Sequence, residues 1–200
     1  MVDQTEADIG DEEDKKKLGI IVGHESRAQG APSPWLGTHE YPWNSDLAQI
    51  MMAVETPLEC KVFFRDGVGI RGAYAASDDW GSDVTVELHF NYSDNENATG
   101  TGILYYPRSK RGREFAGILY REINGVLGLG EWPRGSGGIA TPFEASGQAR
   151  RGQTSLAAGR APATLLEPFF GSNERDSAVA AARKAEYAAA IIRAAERMLL

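Results

Sequence analysis

The sequence predicts one α/β domain: a largely parallel sheet flanked by helices, with a polar site at the carboxyl ends of the strands. Three observations carry this reading. Short apolar runs alternate along the chain with segments of helical period, the order that a parallel sheet with helical crossovers requires. A chain of 200 residues that is 42% hydrophobic is enough for one buried core. The single cysteine, Cys60, excludes an internal disulfide framework and any multi-thiolate metal site.

The elements follow in order. Residues 1–17 hold seven acids and three lysines, a net of −4 out of the chain's −7, and almost no apolar side chain. Burial there cannot offset the entropy of ordering, so 1–17 reads as a flexible acidic and lysine leader and 18–200 as the folded domain. The body keeps only −3, which gives no general attraction to phosphate backbones and argues against nucleic acid as the partner. No apolar run approaches the roughly 20 residues of a bilayer span, and the amino terminus lacks a basic and then apolar opening. The expectation is therefore synthesis in the cytoplasm, with neither signal peptide nor membrane anchor.

Residues 18–22 read as a buried strand ending at Gly23, with His24 at its carboxyl end and a Gly/Pro/Ser-rich surface loop over 30–37. Leu47, Ile50, Met51, Val54 and Leu58 recur at helical spacing behind Asn44, which reads as the N-cap, and Pro57 marks the end. A short strand is expected over 61–65 and an alanine-rich helix over 71–80. In 84–90, Val84, Val86 and Leu88 alternate with Thr85, Glu87 and His89, so His89 closes that strand. A strand at 103–106 precedes a second long helix marked by Phe115, Leu119, Ile123 and Val126. The Gly-rich stretch 128–159 has no clear period and reads as a functional rim or a disordered insertion outside the core. Thr164, Leu165 and Leu166 form a last strand leading to Glu167, and Ser172 or Asn173 caps one carboxyl-terminal helix with Tyr187, Ile191, Ala194 and Met198 on one face.

His24, His89 and Glu167 thus stand at the carboxyl ends of three strands, the edge where open α/β sheets bind ligands. Imidazole and carboxylate are the groups that hold a catalytic zinc where thiolates are lacking, with three protein ligands and one open position. A third ligand is expected on the loop after the first strand, where His39 and Glu40 sit. Glu40 is preferred, and His39 reads as an exposed loop residue.

Gly23-His24, then Glu40 ahead of the Leu47-Ala48 helix, then Glu87-Leu88-His89-Phe90-Asn91 together resemble the zinc-dependent N-acetylmuramoyl-L-alanine amidases of the type 3 family. The stretch from Pro162 through Leu165-Leu166-Glu167-Pro168-Phe169-Phe170 to Ser172-Asn173 is similar to that family's final strand and the helix start after it. Arg65-Asp66 and Arg71 fall where the family has an arginine and aspartate after its second strand and an arginine opening the next helix. The resemblance covers 18–200. It implies one Zn2+ held by His24, Glu40 and His89, with Glu167 as general base and acid. It also implies a peptidoglycan substrate, cut at the amide between N-acetylmuramic acid and L-alanine, by a compact lysis enzyme of a phage or phage-like particle that acts on the cell wall. Two positions depart from the family pattern: Glu25 replaces a glycine and Glu87 a small residue.

Two other functions stay open at this level. One is another zinc amidohydrolase, carboxypeptidase-like or deacylating an acylamino acid, which would hold a free carboxylate on a buried arginine such as Arg71 or Arg160. The other is a non-catalytic wall-binding module on the same fold. Glu87 shares a strand face with His89 and is assigned no role. Arg108, Lys110, Arg111 and Arg113 read as a solvated helix start, the terminal Ile191, Ile192, Met198 and Leu199 as core contacts, and Cys60 as packing.

Overall fold

Parallel strands are joined by helical crossovers, so their sheet is covered on both faces. The computed structural model, which describes residues 15–146 and 152–200, has this arrangement. In chain order its elements are β1 (Lys17–Val22), β2 (Pro32–Ser33), β3 (Thr38–His39), α1 (Glu40–Met52), β4 (Glu59–Phe63), α2 (Gly69–Trp80), β5 (Val84–Leu88), β6 (Gly102–Tyr105), α3 (Lys110–Leu127), β7 (Ile139–Ala140), α4 (Pro142–Ser146), α5 (Gln153–Leu156), β8 (Ala163–Glu167), α6 (Glu174–Ala182) and α7 (Lys184–Leu199). Six strands form one sheet in the order β4-β1-β5-β8-β6-β7, and β2 pairs with β3 beside it. Only β6 and β8 run antiparallel within the large sheet.

On one face Leu18, Ile20, Val22, Val86, Leu88 and Leu166 pack under α1, α3 and α7, through Leu47, Met51, Phe115, Leu119, Tyr187 and Ile191. On the other, Ile21, Phe63, Leu104 and Leu165 meet Ala73 and Tyr74 of α2 and Leu156 of α5. Because both faces are covered, all of β5 is buried, including Thr85 and Glu87. The alternation seen in the sequence therefore separates two interiors, not an interior and a surface. The last residues of α7 pack against the core as expected, and among the described residues no helix is long and apolar enough to cross a membrane.

Four expectations are corrected. Helix α1 starts one turn early, at Glu40, and ends at Met52, leaving Asn44 buried inside it. Its first N–H groups need no capping side chain, because Glu40 and Tyr41 donate to the carbonyls of Ala31 and Gln29; Pro42 fits there, where a helix has no use for the N–H. The carboxyl-terminal helix is two, α6 capped by Asn173 and α7, broken at Arg183. The break sends the Arg183 guanidinium to the Val126 carbonyl, 2.7 Å away, and Lys184 onto the Trp43 ring and Asp46. Stretch 128–159 is not only a rim: it contains β7, α4 and α5 and buries Trp132, Ala140 and Leu156 in the second core; residues 147–151 of it lie outside the described residues. Lys17 belongs to β1 and not to the leader, pairing with Glu59 and donating its N–H to Asp83 at 2.8 Å. Residues 1–14 of the leader lie outside the described residues.

Asp176, fully buried in the first turn of α6, accepts from Thr99 Oγ1 at 2.6 Å, Gly100 N at 3.3 Å and Phe170 N at 3.1 Å, tying the exit of β8 to the loop before β6. Replacing it by alanine orphans three donors in the interior. We expect Asp176→Ala to lose about 2–4 kcal/mol in urea denaturation, while Asp79→Ala, at an exposed position, leaves the midpoint unchanged.

Candidate active site

β1 and β5 are parallel neighbours with Val22 opposite Leu88, so the residues just beyond them meet at one sheet edge. Gly23 extends the pairing by donating to the Leu88 carbonyl at 3.0 Å. His24 then turns the chain with φ of 66°, the one positive φ at a non-glycine residue among those described. Such a conformation costs roughly 1 kcal/mol or more and persists only where surrounding structure imposes it. Two glycines seat the imidazoles. A Cβ on Gly23 would land on the His89 ring, and one on Gly30 would come within 2.6 Å of His24 Cδ2.

Glu40, the first residue of α1, enters from the opposite side. Its Oε2 lies 2.9 Å from His89 Nδ1 and 3.2 Å from His24 Nε2, and it also accepts from Phe90 N at 3.3 Å. Its Oε1 accepts from Ala31 N at 2.9 Å. The two rings stand edge to face, with centroids 4.8 Å apart. One ligand atom from each of His24, Glu40 and His89 lies within 4.8 Å of the others. A tetrahedral zinc with bonds of about 2.0–2.1 Å sets its ligand atoms roughly 3.3 Å apart, so the donor set fits that metal in chemistry and in spacing.

Burial alone would keep Glu40 neutral. The hydrogen bonds and charges of His24 and His89 outweigh it and hold the carboxyl down at about 2. Burial likewise works against a charged His89, but Glu40 and Glu87 outweigh it and raise the imidazole to about 10. Glu87 is fully buried behind His89. Its Oε1 lies 3.2 Å from His89 Nε2 and 3.2 Å from the Arg65 guanidinium, and its Oε2 accepts from the Tyr74 hydroxyl at 3.0 Å. Burial again opposes its charge, yet these partners and Ser155 of α5 keep the carboxyl below its usual range.

Glu167 is the last residue of β8. The register that pairs Leu88 with Leu166 puts Glu167 one strand across from His89 at the same edge. Its carboxylate acts on buried Tyr187, whose phenol is raised first by burial and then by that charge. His39 stands at the start of α1 without a capping side-chain hydrogen bond, exposed and outside the cluster. Glu25 is half-buried and, with His24, Arg65, Val68 and Arg71, lines a cleft of about 410 Å³ beside the cluster. Arg71 is exposed on that rim, and Arg160 is exposed and paired with Asp78 and Asp79. Neither is the buried arginine that a carboxypeptidase-like site would use. Cys60, half-buried, has its thiol pushed up to about 11 by burial and by Glu196 and Glu59, which leaves it inert.

Sequence reasoning missed the support of Glu87 by Tyr74 and Ser155. The sequence signalled only that donors were needed, because a carboxylate between Val86 and Leu88 cannot be buried without them; which residues supply them is set by the fold.

A parallel α/β domain with two imidazoles and a carboxylate gathered at the carboxyl edge has the form of a single-metal hydrolase. The family profile described as N-acetylmuramoyl-L-alanine amidase matches residues 19–197, and the chain belongs to that family. It is an amidase that hydrolyses the bond between N-acetylmuramic acid and L-alanine in peptidoglycan. Among solved structures, a candidate N-acetylmuramoyl-L-alanine amidase from Neisseria meningitidis is 28% identical with a TM-score of 0.71, over 91% of this chain and 94% of that one. The catalytic domain of CwlV, an amidase from Bacillus (Paenibacillus) polymyxa var. colistinus, shares the fold at 19% identity and a TM-score of 0.74, over 91% and 97%. The catalytic domain of the CD27L endolysin, which targets Clostridia difficile, does so at 22% identity and 0.68, over 92% and 99%. No curated protein matches the chain.

The opposed shifts set a pH window for protein stripped by a chelator. Glu40, lowered from 4.5 to about 2, contributes stability that is present above about pH 4.5 and lost as pH falls toward 2. His89, raised from 6.5 to about 10, contributes stability present below about pH 6.5 and lost as pH rises toward 10. Thermal unfolding of the chelated protein should therefore show its highest midpoint between about pH 4.5 and 6.5. A midpoint that stays level from pH 6.5 to 10 would contradict the charged state of His89.

Proposed function

We propose that this amidase works with one Zn2+ held by His24 Nε2, a Glu40 carboxylate oxygen and His89 Nδ1, and with Glu167 as the group that moves the proton. The observation that carries the reading is the convergence of those three ligand atoms at the edge where β8 delivers Glu167. A zinc held by His24, Glu40 and His89 would supply Lewis-acid polarisation of the scissile carbonyl and a water of pKa lowered from about 15.7 to about 7. The Glu167 carboxylate accepts a proton from the attacking water and returns it to the leaving nitrogen as the carbon–nitrogen bond breaks. The products are a lactyl carboxylate on N-acetylmuramic acid and a free L-alanine amine, and this proton traffic is worth roughly 10²–10⁴ in rate. Glu87 is unsuited to that task, because it is fully buried and both its oxygens are engaged.

The cleft beside His24 takes the glycopeptide, and the likeness to an endolysin catalytic domain supports delivery to the wall by a phage or phage-like particle. Residues 1–14 are dispensable for this chemistry. A chain beginning at Lys15 should keep the melting temperature and turnover of the full chain.

Elemental analysis and a muropeptide assay test the division of labour. His89→Ala removes a direct ligand, so zinc and activity should fall together. Glu167→Gln keeps the shape but not the proton acceptor, so zinc should stay while hydrolysis falls by roughly two to four orders of magnitude. Loss of zinc from Glu167→Gln would make Glu167 a ligand and reopen the assignment of Glu40; near-full activity would remove Glu167 as the base.

A further inference from the structure

We propose that Glu87 is a positioning residue, which fixes the His89 ring so that Nδ1 faces the metal and which Arg65 keeps electrically balanced. The inference rests on the zinc reading above.

An imidazole that binds a metal through one nitrogen carries its proton on the other, and a partner on that second nitrogen fixes both tautomer and ring angle. His89 has Nδ1 toward Glu40 and Nε2 toward Glu87 Oε1, at 2.9 and 3.2 Å. Only an acceptor on the Nε2 side leaves the Nδ1 lone pair free to coordinate, and a carboxylate is the strongest acceptor a side chain offers. Glu87 is itself held from two further elements, by Tyr74 of α2 and by Arg65 beyond β4. Its rotamer is therefore set before any metal arrives.

Charge explains the company it keeps. A divalent ion with one carboxylate ligand carries a net +1, which favours negative charge developing on the substrate carbonyl. A second acid beside it would cancel that charge. Arg65, with 18% of its side chain exposed, returns the balance by pairing with the same oxygen that meets His89. A buried ion pair seldom stabilises a fold more than apolar residues of the same volume would. Stability alone therefore does not account for an acid at this position.

Zinc affinity, by competition with a chelator, and the visible spectrum of the Co2+-loaded protein read the ligand geometry directly. Glu87→Gln should bind zinc about 10–100-fold more weakly than wild type and displace the cobalt bands. Glu87→Asp, which restores the charge one methylene short, should recover part of both. Zinc affinity within two-fold of wild type together with an unchanged cobalt spectrum in Glu87→Gln would overturn the inference, whatever happens to its melting temperature. Should that variant fail to fold, Tyr74→Phe and Arg65→Lys carry the test by the same two readouts, and wild-type values in both overturn it. His89→Ala separates the two levels. If it keeps wild-type zinc affinity, the zinc reading fails and this inference with it; if it loses zinc while Glu87→Gln does not, only the role of Glu87 falls.

Discussion

Two buried carboxylates with one imidazole between them set the terms for the rest of this domain. Removing a carboxylate from water costs several kcal/mol unless donors replace the lost hydration. Glu40 and Glu87 sit on either side of His89, so both must be satisfied within one side chain's length of each other. Glu40 draws on the backbone of Ala31 and Phe90 and on His24; Glu87 draws on Arg65, Tyr74 and Ser155. Those partners come from the exits of β1, β4 and β5 and from α2 and α5. Satisfying two charges thus pins most of the carboxyl edge of the sheet.

The rim of that edge is held by weaker bonds of the same kind. Asp66 accepts from Ser26 N at 2.9 Å and from the Tyr41 hydroxyl at 2.7 Å, which joins the exit of β1, the start of α1 and the exit of β4. Each such exposed contact is worth little by itself. On the far side Ser172 takes the Ser93 N–H at 3.1 Å on its hydroxyl and the Trp35 indole at 3.3 Å on its carbonyl. The left-handed turn at His24 is affordable because loops on both sides of it are fixed in this way.

What the sequence revealed depended on how local the cause was. β1, β5, β8, α2 and α3 were legible because period and composition lie within each segment. The start of α1 was not, since the carbonyls of Gln29 and Ala31 replace a capping side chain and Asn44 only resembles a cap. Nor was the break at Arg183, which answers to contacts with α3 and α1 across the fold. In 128–159 the glycines masked Trp132 and Leu156, whose burial depends on β6 and α2 being in place. At the site, the residue types and their order at strand ends could be read. The donors around Glu87 could not, because Arg65, Tyr74 and Ser155 converge on it only through the register of the sheet.

Two further acids near the cluster separate on structural grounds. Glu25 and Glu87 both add an acid near the cluster, yet Glu25 lies on the wall of an open cleft that it shares with Arg65 and Arg71. Glu25 adjoins His24 on that wall and faces what enters the cleft, where water screens its charge only beyond about 8–10 Å. Glu87 lies where screening is weak and each charge needs a partner of its own, and Arg65 serves as that partner. Arg65 pairs with Glu87 and also borders the cleft that Glu25 lines. Support of His89 through Glu87 and the electrostatics of the cleft are in this way coupled through a single residue.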